Sequence, residues 1–285
     1  MEQVIRSGAG QSVLRLLNPL AMAANLWRHR HIARQLARRD IIGRYRSSSL
    51  GLLWSIITPL VQLCVYTFIF GVVLGARWGR TDEPMTVFAL TMFSGLLVFL
   101  MFAEVVNRSP GMVAENPNYV KKVVFPLEML GPSGLLTALF NFGVGAAVWL
   151  LFWFVVNLAP PPWTIVYLPV VLLPLCLFTL GFAWFLGSLG VFVRDLGHVI
   201  QLITQVLIYL TPVFFPMSLL EGKWFAQVMQ LNPLTHVIED ARRVMMWGQA
   251  PNWPWWTFSL VVASLAALLG YAFFMKSKRA FGDVL

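Results

Sequence analysis

Six long apolar runs alternate with short polar segments along the 285-residue chain. A helix of about 20 mostly apolar residues can cross the hydrocarbon core of a bilayer, and each run is about that long or longer. The runs cover approximately residues 50–74, 85–106, 127–157, 164–193, 198–216 and 254–275. The pattern predicts an all-α integral membrane protein with six transmembrane helices. We expect a cytoplasmic N-terminal segment over 1–49 and one membrane domain over 50–285.

The segment before the first run, residues 22–39, has the pattern of a basic amphipathic helix. Arg30, Arg34 and Arg38 recur at i, i+4 and i+8 and share one face. The apolar positions cluster on the opposite half: Met22, Leu26, Ile32, Ala33, Leu36 and Ala37. Such a helix lies in the headgroup layer, so we expect an interface helix at the inner membrane surface. It either anchors the topology and binds anionic lipid, or docks a partner subunit or guides a phosphate-bearing substrate.

The stretch between the fifth and sixth runs, residues 217–253, has helical periodicity but too many charges to cross a bilayer. Asn232 and Pro233 break it into two short helices, and Thr235 is a candidate N-cap of the second. Between two spans, this pattern predicts a re-entrant hairpin on the outer side. The hairpin either gates an outer exit or lies on the surface. Its candidate gate residues are Trp224, Asn232, Pro233, Arg242 and Arg243.

Polar residues form a stripe along the first run. Ser55, Thr58, Gln62 and Tyr66 recur at i, i+3, i+7 and i+11, close to Phe70. The fifth run has a similar face, whose candidate residues are Gln201, Thr204, Gln205, Tyr209 and Phe215. Lipid cannot satisfy polar groups, so both stripes face protein or water. They either join helices by hydrogen bonds or line a hydrated conduit that suits a neutral, hydroxyl-rich solute such as a glycan.

Composition and charge agree with a membrane protein. The chain is 58% hydrophobic and 12% charged, whereas a soluble domain has about 25% charged residues. Its mean hydropathy is +0.73. A pI near 10.1 is also typical of nucleic-acid-binding proteins, but the apolar content of this chain excludes a soluble protein of that kind. With six spans, sixteen of the 21 Lys and Arg residues lie on the side of the two termini. The positive-inside rule therefore places both termini in the cytoplasm.

The loop between the second and third runs is the longest cytoplasmic stretch after the N-terminus. A short helix within it, near residues 119–123, either inserts into a groove on a cytoplasmic partner or belongs to a plain connection. The candidate residues for this contact are Asn116, Pro117, Tyr119, Lys121 and Lys122. The chain has no G-x-x-x-x-G-K-[ST] phosphate loop and no zinc motif. Cys64 and Cys176 both fall in apolar runs. We therefore predict no catalytic residue and no metal site.

Three stretches together carry a resemblance to a known family. They are RRDIIGRYRSSSLGLLWSIITPL (38–60), LGSLGVFVRDLGHVI (186–200) and LNPLTHVIEDARRVMMWG (231–248). In their order and spacing, over roughly 30–280, the chain resembles the type 2 ABC transport permeases that export bacterial polysaccharides. This family includes O-antigen, capsule and teichoic-acid permeases.

The resemblance implies an assembly and a route. Two permeases would pair above two copies of a separate ATPase, which would bind ATP and Mg²⁺, in the bacterial inner membrane. The chain itself would hold no cofactor. The substrate would be a lipid-linked polysaccharide, and membrane lipids and periplasmic export components would be further partners. The first and fifth spans would line the channel, and the outer hairpin would gate it. Residues 116–123 would form the coupling helix that enters the ATPase. Arg44, Tyr45 and Arg46 would meet the phosphate of the lipid linker.

Other functions remain open at this stage. A type 2 permease for another lipid or for a drug would have the same layout. A membrane-embedded glycan-processing enzyme would need acidic groups near the membrane surface, and Glu104, Glu115 and Glu128 are inner-side candidates. A passive scaffold that recruits an assembly complex is a third alternative.

Overall fold

A computed structural model describes residues 17–46, 51–78, 84–120, 125–220 and 222–284. Within these ranges every regular element is a helix, which confirms the predicted all-α class. The α-helices are α1 (Pro19–Arg28), α2 (Arg30–Arg46), α3 (Trp54–Tyr66), α4 (Met85–Arg108), α5 (Pro117–Val120), α6 (Leu130–Asn157), α7 (Leu168–Phe192), α8 (Leu196–Leu207), α9 (Trp224–Gln230), α10 (Pro233–Met245), α11 (Trp253–Ser277) and α12 (Phe281–Val284). A π-helical segment, Thr67–Val73, continues α3.

Five helices in the described part of the chain are long and apolar enough to cross a membrane. They are α3 with its π-helical extension, α4, α6, α7 and α11. The fifth predicted run forms only α8, a helix of 12 residues, before the chain turns. Twelve residues span about 18 Å, less than the hydrocarbon core. Pro212, which has no N–H, follows in the turn and disfavours a continuous helix. A sixth crossing over 198–216 therefore stays a prediction.

Helix α4 lies at the centre of the molecule. Phe88, Leu90, Met92, Phe93 and Leu96 along it are fully buried. It packs against α6 on one side and against α10 and α7 on the other. A helix that is apolar all round is stable only when other helices surround it or lipid does. In this fold the other spans enclose α4, while α3 leaves much of its apolar surface uncovered.

The predicted basic helix is present as two helices, α1 and α2, which meet at His29. The Asn18 side chain caps α1 by accepting the N–H of Leu20 at 2.9 Å. Apolar residues on the predicted inner face are buried, namely Met22, Ala33, Leu36 and Ala37. Arg34 and Arg38 are exposed. The amphipathic division is thus present in the fold, whereas the location of the helix at a membrane surface stays a prediction.

Two short helices, α9 and α10, occupy the predicted hairpin and meet at the expected break. The N-cap of α10 is Asn232, whose side-chain oxygen accepts the N–H of Leu234 at 3.0 Å, and Pro233 follows at the first helical position. The prediction that Thr235 caps this helix is wrong, because Thr235 already lies inside it. The inner face of α10 packs against α4 and α7. Re-entry of the hairpin into a membrane stays a prediction.

Candidate functional site

A cavity of about 760 Å³ lies between α2, α3, α4 and α6. Three residues of the predicted stripe, Ser55, Thr58 and Gln62, line it from α3. The other walls come from residues that the sequence pattern did not single out for this role. They are, among others, Leu97, Met101, Asn107, Arg108 and Asn141. We call this space the inner cavity. It lies within one copy of the chain, so the first polar stripe faces neighbouring helices here.

Three charged side chains, Arg44, Glu104 and Arg108, line one end of the inner cavity, and a fourth, Asp40, pairs with Arg108. Helix α2 contributes Asp40 and Arg44, and α4 contributes Glu104 and Arg108. Arg44 Nη1 lies 2.6 Å from Glu104 Oε1, and Arg108 Nη1 lies 2.7 Å from Asp40 Oδ2. Within each helix, the two charges are one turn apart and opposite in sign. The arginine of each helix therefore pairs with the carboxylate of the other helix. We call these residues the charge quartet. It attaches the amphipathic helix to the inner end of the central span.

Helix α6 supplies a second partner to each carboxylate of the charge quartet. Asn141 Nδ2 donates to both carboxylate oxygens of Glu104 at 2.9 Å. The Thr137 hydroxyl approaches Asp40 Oδ2 at 3.5 Å, the limit of a hydrogen bond. Partial burial acts to raise the pKa of Asp40, but the hydrogen bond and charge of Arg108, with smaller contributions from Arg44 and Thr137, outweigh it. The pKa of Asp40 is therefore held below its ordinary value, and this carboxylate is charged near neutral pH.

A second cavity, of about 590 Å³, adjoins the inner cavity. Asn107 and Arg108 line both spaces. The predicted channel residue Gln201 lines the second cavity, together with Arg194 and His198 at the start of α8. Thr204, also predicted to line a channel, is buried and donates its hydroxyl to Asn107 Oδ1 at 2.7 Å. Helices α3 and α8 are distant in sequence. Their polar faces nevertheless border the same two residues of α4, Asn107 and Arg108.

An aromatic cluster joins the outer part of the two predicted stripes. The Phe70 ring stacks on Phe214 at 4.5 Å between centroids, and the Tyr66 ring meets the same ring edge-on at 4.8 Å. Tyr209 contacts Phe214 at 5.5 Å. The predicted residue Phe215 packs beside this core, while Gln205 is exposed. Phe214 is the shared partner. The sequence pattern selected Phe215 instead, because it extended the helical period past Leu207, where the helix ends.

The inner loop after α4 contacts α2. The Arg39 guanidinium donates to the Tyr119 hydroxyl and lies over the Tyr119 ring, 5.5 Å from its centroid. The Tyr119 ring stacks on Phe125 at 4.3 Å. Pro117 begins the short helix α5, and the side chain of Asn116 donates to the Met112 carbonyl at 3.1 Å. The predicted coupling residues Lys121 and Lys122 lie outside the described residues.

The predicted interface arginines have different surroundings. Arg30 donates to the Trp27 carbonyl at 2.8 Å and lies over the Trp27 ring. Arg34 and Arg38 are exposed on α2, and Arg44 belongs to the charge quartet. The side chains of Tyr45 and Arg46 lie outside the described residues. Of the predicted lipid-phosphate contacts, Arg44 is thus the side chain whose position the structure describes.

The predicted gate residues also divide into exposed and buried groups. Trp224 is exposed, while Asn232 and Pro233 form the start of α10. Arg243 is partly exposed, and its Nε donates to the Ala250 carbonyl at 3.0 Å.

Arg242 is fully buried and joins four segments of the chain. Its guanidinium donates to the carbonyls of Thr91 on α4 at 3.2 Å and of Val213 at 2.8 Å. It also pairs with Glu239 at 2.8 Å and lies over the Trp78 ring at 4.2 Å. Burial lowers the pKa of Arg242 to about 10, although the Glu239 carboxylate acts to raise it. Because this pKa is well above 7, the guanidinium stays charged near neutral pH. Arg242 therefore holds the outer hairpin against the central span.

Among the described residues, no group of three or more His, Cys, Asp or Glu side chains is arranged to hold a metal ion. Two of the three acidic residues proposed for an enzyme are engaged with basic partners. Glu104 pairs with Arg44, and Glu128 accepts the Lys278 ammonium at 2.8 Å and the Asn25 amide at 3.0 Å. The contacts of Glu128 join α1, the turn before α6 and the segment after α11.

The family description "ABC-2 type transporter" matches residues 33–246, which is most of the chain. The chain therefore belongs to the ABC-2 type transporter family. It is 28% identical over 237 residues to an O-antigen export system permease protein of Myxococcus xanthus, covering 82% of this chain and 87% of that protein. A Klebsiella pneumoniae protein of the same description is 27% identical, with 88% and 93% covered. A polysialic acid transport protein of Escherichia coli is 26% identical, with 74% and 79% covered.

Proposed function

We propose that this chain is the membrane permease subunit of an ABC exporter that carries a lipid-linked polysaccharide, of the O-antigen or capsule type, out of the cytoplasm. Membership of the ABC-2 family and the similarity to O-antigen and polysialic acid permeases support this function. The structural support comes from the position of two cavities. The polar faces of α3 and α8 border two adjoining cavities that share Asn107 and Arg108. Uncharged hydrogen-bonding groups suit a chain of hydroxyl groups, because each contact is weak and the sugar repeats it.

The assembly follows from the same proposal. Two copies would pair in the bacterial inner membrane, with both termini in the cytoplasm and six crossings per copy. Two copies of a separate ATPase would bind ATP and Mg²⁺ and dock beneath them. The inner loop around Tyr119 would receive the movement of the ATPase, and its contact with Arg39 would pass that movement to α2. The Phe214 cluster and the outer hairpin held by Arg242 would form the exit.

Deletion of the gene and its restoration test this function. The proposal expects lipid-linked polysaccharide to accumulate in the cytoplasm of the deletion strain and to reach the surface again when the chain and its cognate ATPase are supplied. A strain that accumulates no glycan would point to another lipid or a drug as substrate. Turnover of a lipid-linked sugar by the purified chain without an ATPase would favour an enzyme.

The channel residues are tested by a double variant. Gln62→Leu with Gln205→Leu should lower export strongly while expression and dimerisation stay normal, because both changes remove polar groups from the proposed route. Val61→Leu with Val206→Leu is the matched control, since both valines are exposed apolar residues on the same two helices. Equal export by the two double variants would contradict a conduit along these faces. A loss confined to the glutamine variant would also exclude a passive scaffold.

A further inference from the structure

We propose that the inner cavity is a binding site for a phosphate-bearing lipid, with the phosphate between Arg44 and Arg108 and the lipid chain along α4 and α6. The site lies within one copy of the chain, at the charged end of the cavity that the polar face of α3 borders. It deepens the proposed function, on which it rests, because it gives the lipid anchor of the substrate its own location. The shared chemistry is a phosphate on an apolar chain, whether it belongs to a membrane phospholipid or to a prenyl carrier.

The inner cavity is amphipathic along its length. At one end it is lined by Arg44, Arg108 and Asn107, at the inner end of α4. Further along α4 the lining becomes apolar at Leu97 and Met101. Leu97 and Arg108 are separated by about 16 Å of helix. A headgroup at the charged end would therefore leave its chain against the apolar end, as in an ordinary leaflet.

The carboxylates of the charge quartet can release their arginines at low cost. Asn141 Nδ2 lies 2.9 Å from both oxygens of Glu104, so this carboxylate keeps an amide donor when Arg44 moves. Thr137 remains beside Asp40 when Arg108 moves. The Arg44 and Arg108 side chains are 32% and 46% exposed, and ion pairs at this exposure contribute little net stability. Arginine binds phosphate through paired N–H groups, which are stronger than neutral hydrogen bonds. The ion pairs of the charge quartet therefore form when no anion is bound, and both arginines turn to an anion that enters the cavity.

Further basic groups surround the same point. Arg108 also lines the second cavity, where Arg194 and His198 face it across the start of α8. Glu115 is the acidic side chain that lines this second cavity within the described residues. A phosphate held at Arg108 would lie between the two cavities. A sugar attached to it would then point toward the polar face of α8.

Binding of radiolabelled farnesyl pyrophosphate to the purified full chain tests the site. Unlabelled farnesyl pyrophosphate, phosphatidylglycerol, inorganic pyrophosphate and farnesol serve as competitors. We expect farnesyl pyrophosphate to compete at least about tenfold better than pyrophosphate or farnesol, because it alone of these three satisfies both ends of the cavity. Phosphatidylglycerol competing as well as farnesyl pyrophosphate would assign the site to membrane phospholipid, and weaker competition would assign it to a prenyl carrier. Equal competition by farnesol or by pyrophosphate alone would overturn it.

Two double variants of opposite sign distinguish a lipid site from a purely structural clamp. Arg44→Gln with Arg108→Gln should weaken binding about tenfold or more, because the phosphate loses its charged donors. Asp40→Asn with Glu104→Gln should tighten binding, since the arginines lose their internal competitors. A loss of folding cannot mimic this gain. Lys276→Gln with Arg279→Gln, two exposed residues at the end of α11 and just after it, is the control for charge alone and should leave binding unchanged. Unchanged binding in both quartet variants would overturn the proposal.

Export in cells separates this inference from the proposed function. A chain that binds farnesyl pyrophosphate through Arg44 and Arg108 but restores no polysaccharide export keeps the lipid site and loses the proposed function. Full export by the arginine variant, together with unchanged binding, keeps the function and overturns the site.

Discussion

Arg242 is a fully buried charge that joins the α9–α10 hairpin to the central span. A buried arginine is tolerated only when most of its donors have partners, because an unpaired buried charge is strongly destabilising. Here the partners are two main-chain carbonyls and the Glu239 carboxylate, with the Trp78 ring against the guanidinium plane. Gly95 makes room for the group, since a Cβ there would lie 2.5 Å from Nη2 of Arg242.

Replacing Arg242 by methionine should destabilise the protein by about 3–5 kcal/mol, because the carbonyls of Thr91 and Val213 and the Glu239 carboxylate lose their donor. The measurement is thermal unfolding of the purified protein in detergent. Arg243→Gln is the matched control on the same helix, and it should cost about 0–1 kcal/mol because the side chain is 35% exposed. Similar losses in the two variants would contradict a special role for Arg242.

Asp240, on the same helix, makes stability depend on pH. Burial raises its pKa to about 6, although the Asn252 N–H at 2.8 Å and Arg243 act to lower it. Its ordinary pKa is 3.8, so between these values the folded state binds more protons than the unfolded state. The contribution of Asp240 to stability is therefore full below about pH 4, is lost as the pH rises to about 6 and stays absent above that.

Asp240→Asn should remove this pH dependence and keep an acceptor for the Asn252 N–H. The gain of the variant over the parent should grow between about pH 4 and pH 6 and level off, at no more than about 3 kcal/mol. Denaturant unfolding of both proteins in detergent across this range measures the difference. A difference that is constant with pH would show that Asp240 titrates at its ordinary value in the folded protein.

At the scale of elements, the contact between α7 and α11 is set by two glycines. A Cβ at Gly270 would lie 2.1 Å from the Gly181 carbonyl oxygen, and a Cβ at Gly181 would meet the Ala266 backbone at 2.5 Å. Main-chain atoms cannot rotate away as a side chain can. Small residues that allow close approach are the usual means of packing helices in membranes, where burial of apolar surface drives little association.

Gly270→Ala should therefore force the two helices apart and destabilise the protein by about 1–3 kcal/mol. Gly143→Ala on α6 is the matched control, because nothing lies within 4 Å of a Cβ built there. Gly143→Ala should be neutral or should stabilise the protein by up to about 1 kcal/mol. Gly270→Ala should therefore unfold at a lower temperature than Gly143→Ala. Indistinguishable unfolding temperatures would contradict the close backbone contact.

At the scale of the whole molecule, the number of crossings decides the side on which each segment lies. We expect residues 194 and 218, before and after α8, to lie on opposite sides. In a chain lacking Cys64 and Cys176, a single cysteine at Ser218 or Gln249 should react with a membrane-impermeant maleimide from outside. A cysteine at Arg194 or Lys276 should react only after permeabilisation. All four positions are exposed, so failure to react reports sidedness. Labelling of positions 194 and 218 from the same side would show that the chain crosses the membrane five times.

Prediction from the sequence was most successful where the apolar pattern is long and continuous. The spans corresponding to α3, α4, α6, α7 and α11 follow from it. The run around 198–216 has a suitable composition but ends as a helix at Leu207 and turns before Pro212. Composition alone does not show how neighbouring segments stabilise a turn. Here Arg242 donates to the Val213 carbonyl from a helix that comes later in the chain.

The candidate site was predictable only in part for the same reason. The helical period correctly grouped Ser55, Thr58 and Gln62 on one face. It could not show that Asn141 and the charge quartet face the same cavity, because those contacts join residues up to 97 positions apart, such as Thr137 and Asp40. Nor could a helical wheel distinguish Arg242 from Arg243, which are adjacent in sequence yet one is fully buried and the other partly exposed.

The sequence by itself determined that this is a helical membrane protein, because hydrophobicity acts locally on each segment. It also determined the break at Asn232 and Pro233, since capping and the missing proline N–H act over a few residues. Only the tertiary structure decided which helix lies at the centre, which charges pair and where the cavities lie. These features depend on contacts between distant segments, and each such contact requires the whole packed arrangement to exist.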